Sequence, residues 1–299
     1  MPIGTNSSES PIWVHLDLNV KGAVEWIRGE AGFDDWVADA LVRPGTRPRV
    51  VPYAGGAMVI LRGVNLNPGA EPEDMISLRM WAEAGWLITL RSQKLKAVVA
   101  MREALQRGDG PTSTASMLSF LMHEMATRAG DVIDDLEEQC GGLEIEIDSA
   151  ASEKDLGDKL ASLRRRLMGL KRYLRPQRDA VMLLATEPLA WLPEEERVRI
   201  REAGDRFTRR VEDLESLREE LQVSQDELNT SSNDRLNQRI YVLTILSGIF
   251  LPLGFLAGVF GMNVEIPGEG SFTAFWVVCG IMVGTAAGML WWMKRRNWF

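Results

Sequence analysis

Short hydrophobic segments fill the first third of the chain and predict a mixed α/β domain. Residues 12–18 are typical of a strand, and residues 21–41 of one or two helices. Turns at Gly55–Gly56 and at residues 65–69 separate further short strands, which we expect over residues 49–53, 57–63, 75–81 and 86–91. A helix over residues 94–107 then closes a domain that we assign to residues 1–110.

After the break at residues 108–111, leucines and other apolar residues recur at helical spacing. Residues 111–193 are therefore expected to form an antiparallel helical pair, joined near residues 149–154 and with Pro176 kinking the second helix. From residue 194 to residue 260 no long loop interrupts the pattern. One helix of 67 residues, about 100 Å long at about 1.5 Å per residue, is the prediction.

Two stripes, each stepping by three and four residues, run along nearly opposite faces of this long helix. The first stripe is apolar and is predicted to be core, packed against the two preceding helices. It consists of Phe207, Val211, Leu214, Leu217, Leu221 and Leu228. The second, which we call the polar stripe, is mostly small and polar. It consists of Val223, Asp226, Thr230, Asn233, Asn237, Ile240, Thr244, Ser247, Leu251, Gly254, Gly258 and Gly261.

Two interpretations of the polar stripe are open. Small residues allow membrane helices to pack closely, which is the simpler explanation. Because polar atoms that face lipid are costly, a water-filled axis in a ring of subunits explains the same pattern. The stripe continues through Asp226, Asn233 and Asn237, outside the apolar segment, and this continuation favours the water-filled axis.

Two uncharged apolar segments, residues 240–260 and 272–293, are each long enough to span a bilayer. They are predicted to be transmembrane helices 1 and 2. Residues 194–239 would then be the cytoplasmic part of the long helix, with residues 261–271 an extracytoplasmic loop and residues 294–299 a cytoplasmic basic tail.

Basic residues flank the two apolar segments on the side away from the loop, namely Arg235, Arg239, Lys294, Arg295 and Arg296. The positive-inside rule therefore places both termini in the cytoplasm of a multi-pass, bacterial-type inner-membrane protein. A hairpin of two transmembrane helices is too small to enclose a pore by itself. Any conduction path must be shared in a symmetric ring, with the first span inside and the second facing lipid.

Charge is distributed unevenly along the chain. Residues 240–299 carry a net charge of +1, so residues 1–239 carry −9. An acidic soluble portion excludes nucleic acid as the expected partner, since that partner requires a basic face. It is compatible with the handling of cations.

The chain has two cysteines and two histidines, which are widely separated. A disulfide or a zinc site built from these side chains is therefore not expected. Cys140 and Cys279 are interpreted as ordinary apolar packing, and His15 and His123 as structural.

The chemistry near the loop suits a cation that keeps its hydration shell. Asn263 offers an amide oxygen and Gly261 a backbone carbonyl, and neutral oxygens of this kind suit hydrated Mg²⁺. Repeated in every subunit, Glu265 and Glu269 would attract cations to the outer mouth, although they are equally interpretable as solvated loop acids. Asp226 would form an acidic ring below the membrane, so Asn263 and Asp226 are the candidate metal-contacting residues.

Apolar constrictions are expected at two positions of the polar stripe, Ile240 and Leu251, which could gate by dewetting. Zn²⁺ stripped of water prefers imidazole or thiolate, and neither lies on the stripe. If zinc passes, it is therefore expected to pass with water bound or at sites outside the stripe.

Residues 250–263, FLPLGFLAGVFGMN, resemble the signature of the CorA metal ion transporter superfamily, a likeness that covers essentially the whole chain. Four other segments resemble its ZntB branch of zinc transporters: residues 72–81 (PEDMISLRMW), 172–178 (RYLRPQR), 263–268 (NVEIPG) and 291–298 (WWMKRRNW).

The resemblance implies a CorA-like fold: an α+β cytoplasmic domain, long stalk helices and a two-helix transmembrane hairpin in a funnel-shaped homopentamer. It implies transport of a divalent cation in place of enzymatic catalysis, with no cofactor, and with membrane lipid and copies of the chain as partners. By position, the selectivity motif would be Gly261, Met262 and Asn263. The pore-lining residues would be Asn237, Ile240, Thr244, Ser247, Leu251 and Gly254, all of which lie on the polar stripe.

The favoured function is Zn²⁺ transport, with proton-coupled uptake as one form of it. A CorA-like Mg²⁺/Co²⁺ channel gated by intracellular metal is the alternative. Glu265 stands where ZntB-like loops often have glycine, and Gly254 where CorA-like pores often have a hydroxyl residue. A membrane-anchored sensor or scaffold without transport is an alternative of another class, which the aligned polar residues Thr244 and Ser247 disfavour.

Overall fold

A computed structural model describes residues 11–148, 153–261 and 272–296 of the chain. The chain divides into two compact units, Met1–Asp226 and Glu227–Phe299. We call these the N-terminal unit and the C-terminal unit. The long helix predicted from the sequence contributes to both of them.

The N-terminal unit is built on a five-stranded sheet. Its strands are β1 (Ile12–Asp17), β2 (Arg49–Tyr53), β3 (Gly56–Gly63), β4 (Ile76–Glu83) and β5 (Trp86–Arg91). Their spatial order is β1-β5-β4-β3-β2. The β2–β3, β3–β4 and β4–β5 pairs are antiparallel, whereas β1 lies parallel to β5 at the edge of the sheet.

The hairpin between β2 and β3 turns one residue earlier than predicted. Ala54 and Gly55 have φ values of 49° and 83°, as a two-residue hairpin turn with two left-handed residues requires. Gly56 therefore belongs to β3 and pairs with Tyr53. A Cβ atom at Gly56 would lie 2.6 Å from the ring of Trp81 on β4, so this position needs glycine because that ring packs against it.

Two short helices, α1 (Ala23–Gly29) and α2 (Asp35–Val42), cover one face of the sheet. Met58, Ile60 and Trp81 contribute to the buried cluster formed there. Arg79 lies on the same face and is also buried; its guanidinium donates a hydrogen bond of 2.9 Å to the carbonyl of Leu41 near the end of α2. That carbonyl would otherwise lack an intrahelical partner.

Three longer helices follow: α3 (Lys96–Arg107), α4 (Thr114–Asp148) and α5 (Glu153–Thr186). Both α4 and α5 contact the sheet. Val59, Leu61 and Met80 alternate with the residues facing α1 and α2, so they point to the opposite face, and all three are fully buried. Pro176 lies inside α5, and its predicted kink stays a prediction.

Arg62 connects the sheet to α5 and to two loops. Its guanidinium donates hydrogen bonds to the carbonyls of Met75 (2.7 Å) and Thr46 (3.1 and 3.2 Å) and lies 4.2 Å from the centre of the Tyr173 ring. The backbone N–H of Arg62 donates to the side-chain oxygen of the buried Gln177 at 2.6 Å. Two segments singled out in the sequence, residues 72–81 and 172–178, therefore meet at one arginine.

The remaining helices are α6 (Glu194–Phe260) and α7 (Phe272–Arg295). The first has the bounds predicted from the sequence, and it continues through Pro252, as membrane-type helices can. Within the N-terminal unit α6 packs closely on α5: a Cβ atom at Gly204 would lie 2.5 Å from the sulfur of Met182.

The apolar stripe of α6 is core, as predicted. Each of its members has no more than 9% of its surface exposed: Phe207, Val211, Leu214, Leu217, Leu221 and Leu228. The five strands and the helices α1 to α3 are also found, with bounds that differ from the prediction by at most two residues. The helices α4 and α5 lie within the predicted pair but end seven residues before its predicted limit at residue 193. The predicted subdivision at residues 110 and 193 stays a prediction.

A valine-to-alanine comparison on α6 should separate its buried face from its exposed face. Val211 is 2% exposed and Val198 is 43% exposed. Val211→Ala should destabilise the protein by about 2 kcal/mol, from lost burial and the resulting cavity, and Val198→Ala by less than about 0.5 kcal/mol. The midpoints of thermal unfolding of the purified variants test this. Equal midpoints would contradict the assignment of the core face.

Candidate functional site

The polar stripe predicted from the sequence lies on α6, mostly in the C-terminal unit. Each of its members is exposed in the single chain, including Leu251 at 79% and Ile240 at 52%. Exposure is not limited to this face, since Phe250 and Phe255 are 66% and 71% exposed. A single chain therefore covers neither the polar stripe nor the apolar remainder of the helix.

The hydroxyl group of Thr244, a member of the polar stripe, hydrogen-bonds to the helix backbone. Thr244 donates its hydroxyl to the carbonyl of Ile240, one turn earlier, at 2.8 Å. This bond satisfies the only donor of the threonine side chain and leaves the oxygen lone pairs as acceptors. Such a side chain can accept hydrogen bonds from water on its exposed side.

The glycines of the stripe are open on their outer side. A Cβ atom built on Gly254 or Gly258 would meet no atom within 4 Å outside the local helix backbone. Gly261 follows the last residue of α6 and donates its N–H to the carbonyl of Ala257 at 2.9 Å. The other predicted residues of the selectivity motif and outer mouth, Met262, Asn263, Glu265 and Glu269, lie outside the described residues.

The polar end of the stripe lies nearer the middle of α6. Asp226 is exposed and accepts a hydrogen bond of 3.2 Å from the side chain of Gln222, one turn earlier. Thr230, Asn233 and Asn237 are exposed as well. Within the described ranges, no three His, Cys, Asp or Glu side chains converge on a point where they could hold a metal ion. Asp226 therefore belongs to no dehydrated metal site within one chain's described residues.

Two helices are long and apolar enough to cross a membrane, namely α6 and the Phe275–Arg295 part of α7. None of the apolar stretch in either helix is buried inside the chain. Unburied apolar surface of this extent is typical of membrane-spanning segments and of interfaces between proteins.

Neither of the two cysteines shows features of a reactive or metal-binding thiol among the described residues. Cys140 is buried on α4, and burial, helped by the acidic side chains of Glu220 and Glu144, raises the pKa of its thiol to about 11. Its thiolate is therefore scarce at neutral pH, and the interpretation as apolar packing stands for Cys140. Cys279, on α7, is partly exposed.

His15 lies in a polar cluster on edge strand β1. Its Nδ1 is 2.8 Å from the hydroxyl oxygen of the fully buried Thr89, which also accepts a hydrogen bond of 2.9 Å from the indole N–H of Trp13. The other ring nitrogen, Nε2, is buried without a hydrogen-bond partner among the described residues. Burial, with a smaller contribution from Arg91, lowers the pKa of His15 to about 4. The histidine is therefore neutral at physiological pH and structural, as predicted.

One feature that the sequence did not predict is a polar cleft of about 670 Å³ at the start of α6. Its buried carboxylate, Glu196, accepts hydrogen bonds from the Ser119 hydroxyl and from Arg199 (3.0 Å). Glu195 pairs with the same arginine at 2.8 Å. Three consecutive glutamates from residue 194 begin α6, as acidic residues in a first helical turn often do. Arg199 is a local partner on the same helix, whereas Ser119 comes from α4 and was not readable from the local sequence.

Comparison with known proteins places the chain among metal transporters. Residues 8–295 match the family described as CorA-like Mg²⁺ transporter protein. A protein of Pseudomonas aeruginosa, named divalent cation transporter CmaX, is 40% identical over 292 residues, which are 96% of this chain and 87% of that protein. The zinc transport protein ZntB of Pectobacterium carotovorum is 32% identical over 301 residues, which are 99% of this chain and 91% of that protein.

Solved structures of related proteins have folds similar to that of this chain. The full-length CmaX structure matches with a TM-score of 0.84 and 36% identity, covering 98% of this chain and 90% of that one. The ZntB cytoplasmic domain of Vibrio parahaemolyticus matches with a TM-score of 0.68 and 25% identity, covering 77% of this chain and 93% of that one. The CorA magnesium transporter of Methanocaldococcus jannaschii shares the fold, with a TM-score of 0.84 at 18% identity over 100% of this chain and 95% of that one.

Acidification should destabilise the fold through His15. Its pKa is lower in the folded state than its ordinary value of 6.5, so the unfolded chain binds more protons between pH 6.5 and pH 4. The contribution of His15 to stability is complete above pH 6.5 and is lost as the pH falls towards 4. His15→Gln should reduce the drop in melting temperature between pH 7.5 and pH 4.5 by about 2–4 °C. His123→Gln, at an exposed histidine, is the control and should leave the drop unchanged. An unchanged drop in His15→Gln would contradict this role.

Proposed function

The chain belongs to the CorA family of metal ion transporters, and from this premise we propose that it carries divalent metal cations across a membrane through a pore shared by several copies. The observation that carries the proposal is the polar stripe of α6. It runs from Val223 along α6 to Gly261, just past the end of the helix, and includes a membrane-length apolar segment. The described residues of the chain leave it exposed. An isolated hydroxyl face in hydrocarbon would be costly, whereas the same face around an aqueous axis is solvated.

A homopentamer with α6 inside and α7 towards lipid is the proposed assembly. The number five rests on the family resemblance, and the inside position of α6 rests on the residues. Thr244 and Ser247 give α6 an aligned polar face. A membrane anchor or scaffold has no use for such a face, so this function is disfavoured.

The proposed path presents oxygen acceptors to a hydrated cation. Asp226 would form an acidic ring at the inner end, followed by the side-chain amides of Asn233 and Asn237 and the hydroxyls of Thr244 and Ser247. The hydroxyl oxygen of Thr244 keeps its acceptor capacity because its proton is held by the Ile240 carbonyl. These groups exchange hydrogen bonds with the first shell of water and need not replace it, which suits cations that dehydrate reluctantly.

Apolar side chains would interrupt this path at Ile240 and Leu251. A ring of such side chains can close a pore by excluding water without any steric plug. Beyond them, Gly261, Met262 and Asn263 would form the outer filter, and the carboxylates of Glu265 and Glu269 would raise the local cation concentration.

We favour Zn²⁺ as the transported ion, with Mg²⁺ and Co²⁺ as the alternative. Relatives about 30% identical are named zinc transport proteins, whereas the matched family is described by Mg²⁺ and the 40% identical relative by divalent cations in general. We propose proton-coupled uptake only for the case in which the transported ion is Zn²⁺. The basic residues flanking the spans support an inner-membrane orientation with both termini in the cytoplasm.

Metal flux into liposomes tests the transport function. Purified protein should admit Zn²⁺ faster than Mg²⁺ or Co²⁺, measured with fluorescent indicators inside the vesicles, and a proton gradient should accelerate Zn²⁺ entry. Asn263→Ala should reduce flux at least tenfold while the oligomer elutes unchanged from size exclusion, because the outer filter loses its amide oxygens.

The control for this experiment is Asn19→Ala, at an exposed asparagine of the N-terminal unit. It should leave flux at the level of the unmodified protein. Absence of flux for all three metals would overturn the transport function. Unchanged flux in Asn263→Ala would contradict the filter role of Asn263. A rate of Zn²⁺ entry that does not depend on the proton gradient would contradict proton coupling.

Cysteine accessibility tests the pore-lining assignment. In a background with Cys140→Ala and Cys279→Ala, Thr244→Cys and Ser247→Cys should react at least tenfold faster with a cationic, membrane-impermeant thiosulfonate than Val242→Cys and Leu246→Cys. A thiol reacts as its thiolate and therefore needs water. The two control positions lie on the opposite face of the helix and should contact lipid. Equal rates at all four positions would contradict a water-filled axis.

A further inference from the structure

The C-terminal end of α7 carries two tryptophan–arginine pairs. The guanidinium carbon of Arg295 lies 5.3 Å from the centre of the Trp291 ring, and that of Arg296 lies 5.7 Å from the centre of the Trp292 ring. Both distances fall within the range of cation–π attraction. The indoles are 61% and 50% exposed and both arginines are exposed, so the pairs form a surface.

This surface points away from the packed side of the helix. Met293 is 6% exposed and is the one buried residue among the described side chains of α7. At about 100° per residue, the four members of the two pairs span one side of the helix, whose centre lies roughly 130° from Met293. The pairs are therefore accessible from outside the unit.

Among the described residues, no acidic side chain pairs with the positive charges of this surface. The sequence of α7 contains no acidic residue, and Lys294 adds a third positive charge beside the two arginines. Within the described part of the chain, no carboxylate lies within 4.0 Å of any of these three side chains. Neither guanidinium donates a side-chain hydrogen bond there, so their N–H groups remain available to an external acceptor.

We propose that the two pairs, with Lys294, form a binding surface for the headgroup phosphate of an anionic phospholipid. Arginine binds phosphate oxygens through two parallel N–H groups, and the indole beneath it restricts its orientation. The pairs lie at the end of an apolar helix of membrane length, where indole rings prefer the headgroup region and basic residues attract anionic lipid.

The occupant is a lipid, not a free phosphate ion. Two half-exposed indoles offer apolar area that a hydrated inorganic ion does not use, whereas the glycerol and upper acyl chain of a phospholipid cover it. The proposal requires α7 to lie in a membrane, and it is independent of which metal the protein carries and of whether α6 lines a pore.

Lipid titration of the full-length protein in detergent tests the proposal. Fluorescently labelled phosphatidylglycerol should bind saturably, and phosphatidylcholine with the same label should bind at least tenfold more weakly. Replacing both arginines by glutamine (Arg295→Gln with Arg296→Gln) should weaken phosphatidylglycerol binding about tenfold or more, because the positive charges that attract the anionic headgroup are lost.

Three further measurements make the result specific. Arg295→Lys with Arg296→Lys keeps the charges and so keeps membrane insertion, but it should lose at least threefold in affinity because lysine lacks the two-pronged geometry. Trp291→Phe with Trp292→Phe should fall between this variant and the unmodified protein. The matched control, Arg47→Gln with Arg49→Gln, removes two exposed charges of the N-terminal unit and should bind as the unmodified protein does.

Three outcomes would overturn the proposal. Unchanged affinity in the lysine variant would show a diffuse electrostatic attraction without a built site. Equal weakening in the control variant would show that net charge alone matters. Displacement of labelled phosphatidylglycerol by inorganic phosphate as effectively as by unlabelled phosphatidylglycerol would show a phosphate site that needs no lipid.

Discussion

The constraint on which the rest of this protein depends is the cost of polar groups in hydrocarbon. Thr244 and Ser247 lie within an apolar segment long enough to span a bilayer, and none of the described residues covers them. A helix satisfies its own backbone in lipid, but its side-chain oxygens need water or a neighbouring helix. We propose that further copies of the chain cover the hydroxyl face, and the proposed ring, its inner face and its lipid-facing helix all follow from that proposal.

In the N-terminal unit, buried and half-buried arginine side chains hydrogen-bond to elements that lie far apart in the sequence. Arg62 ties β3 to two loop carbonyls and to Tyr173 and Gln177 of α5, and Arg79 binds a carbonyl near the end of α2. Such groups are costly to bury unless they are hydrogen-bonded, so each restricts how its neighbours are arranged. The sheet and α5 are thereby held in one arrangement, and the apolar stripe of α6 adds further core. The position of the first part of α6 is set by this packing.

The C-terminal unit is different because little of it is buried within one chain. We propose that its helices meet lipid and other copies of the chain. Its ends differ in chemistry. The end of α7 is cationic and aromatic, and the region that follows α6 in sequence carries two acidic residues. This asymmetry underlies two of the proposals. The positive-inside rule supports the proposed orientation, and the chemistry of the two ends supports contact with anionic lipid at one end and attraction of metal cations at the other.

Local periodicity determined much of this protein without a structure. The bounds of α6, the five strands, the apolar stripe and the two membrane-length segments were all readable, because each depends on residues within a few turns of one another. Tertiary structure alone decided the parallel pairing of β1 with β5, the contact of Thr89 with His15 and the joining of residues 72–81 to residues 172–178 through Arg62. These contacts join positions between 13 and about 110 residues apart, so no local pattern specifies them. The polar stripe stands between the two cases: its spacing is readable from the sequence, but none of the described residues of one chain covers it, because its exposure depends on the tertiary structure.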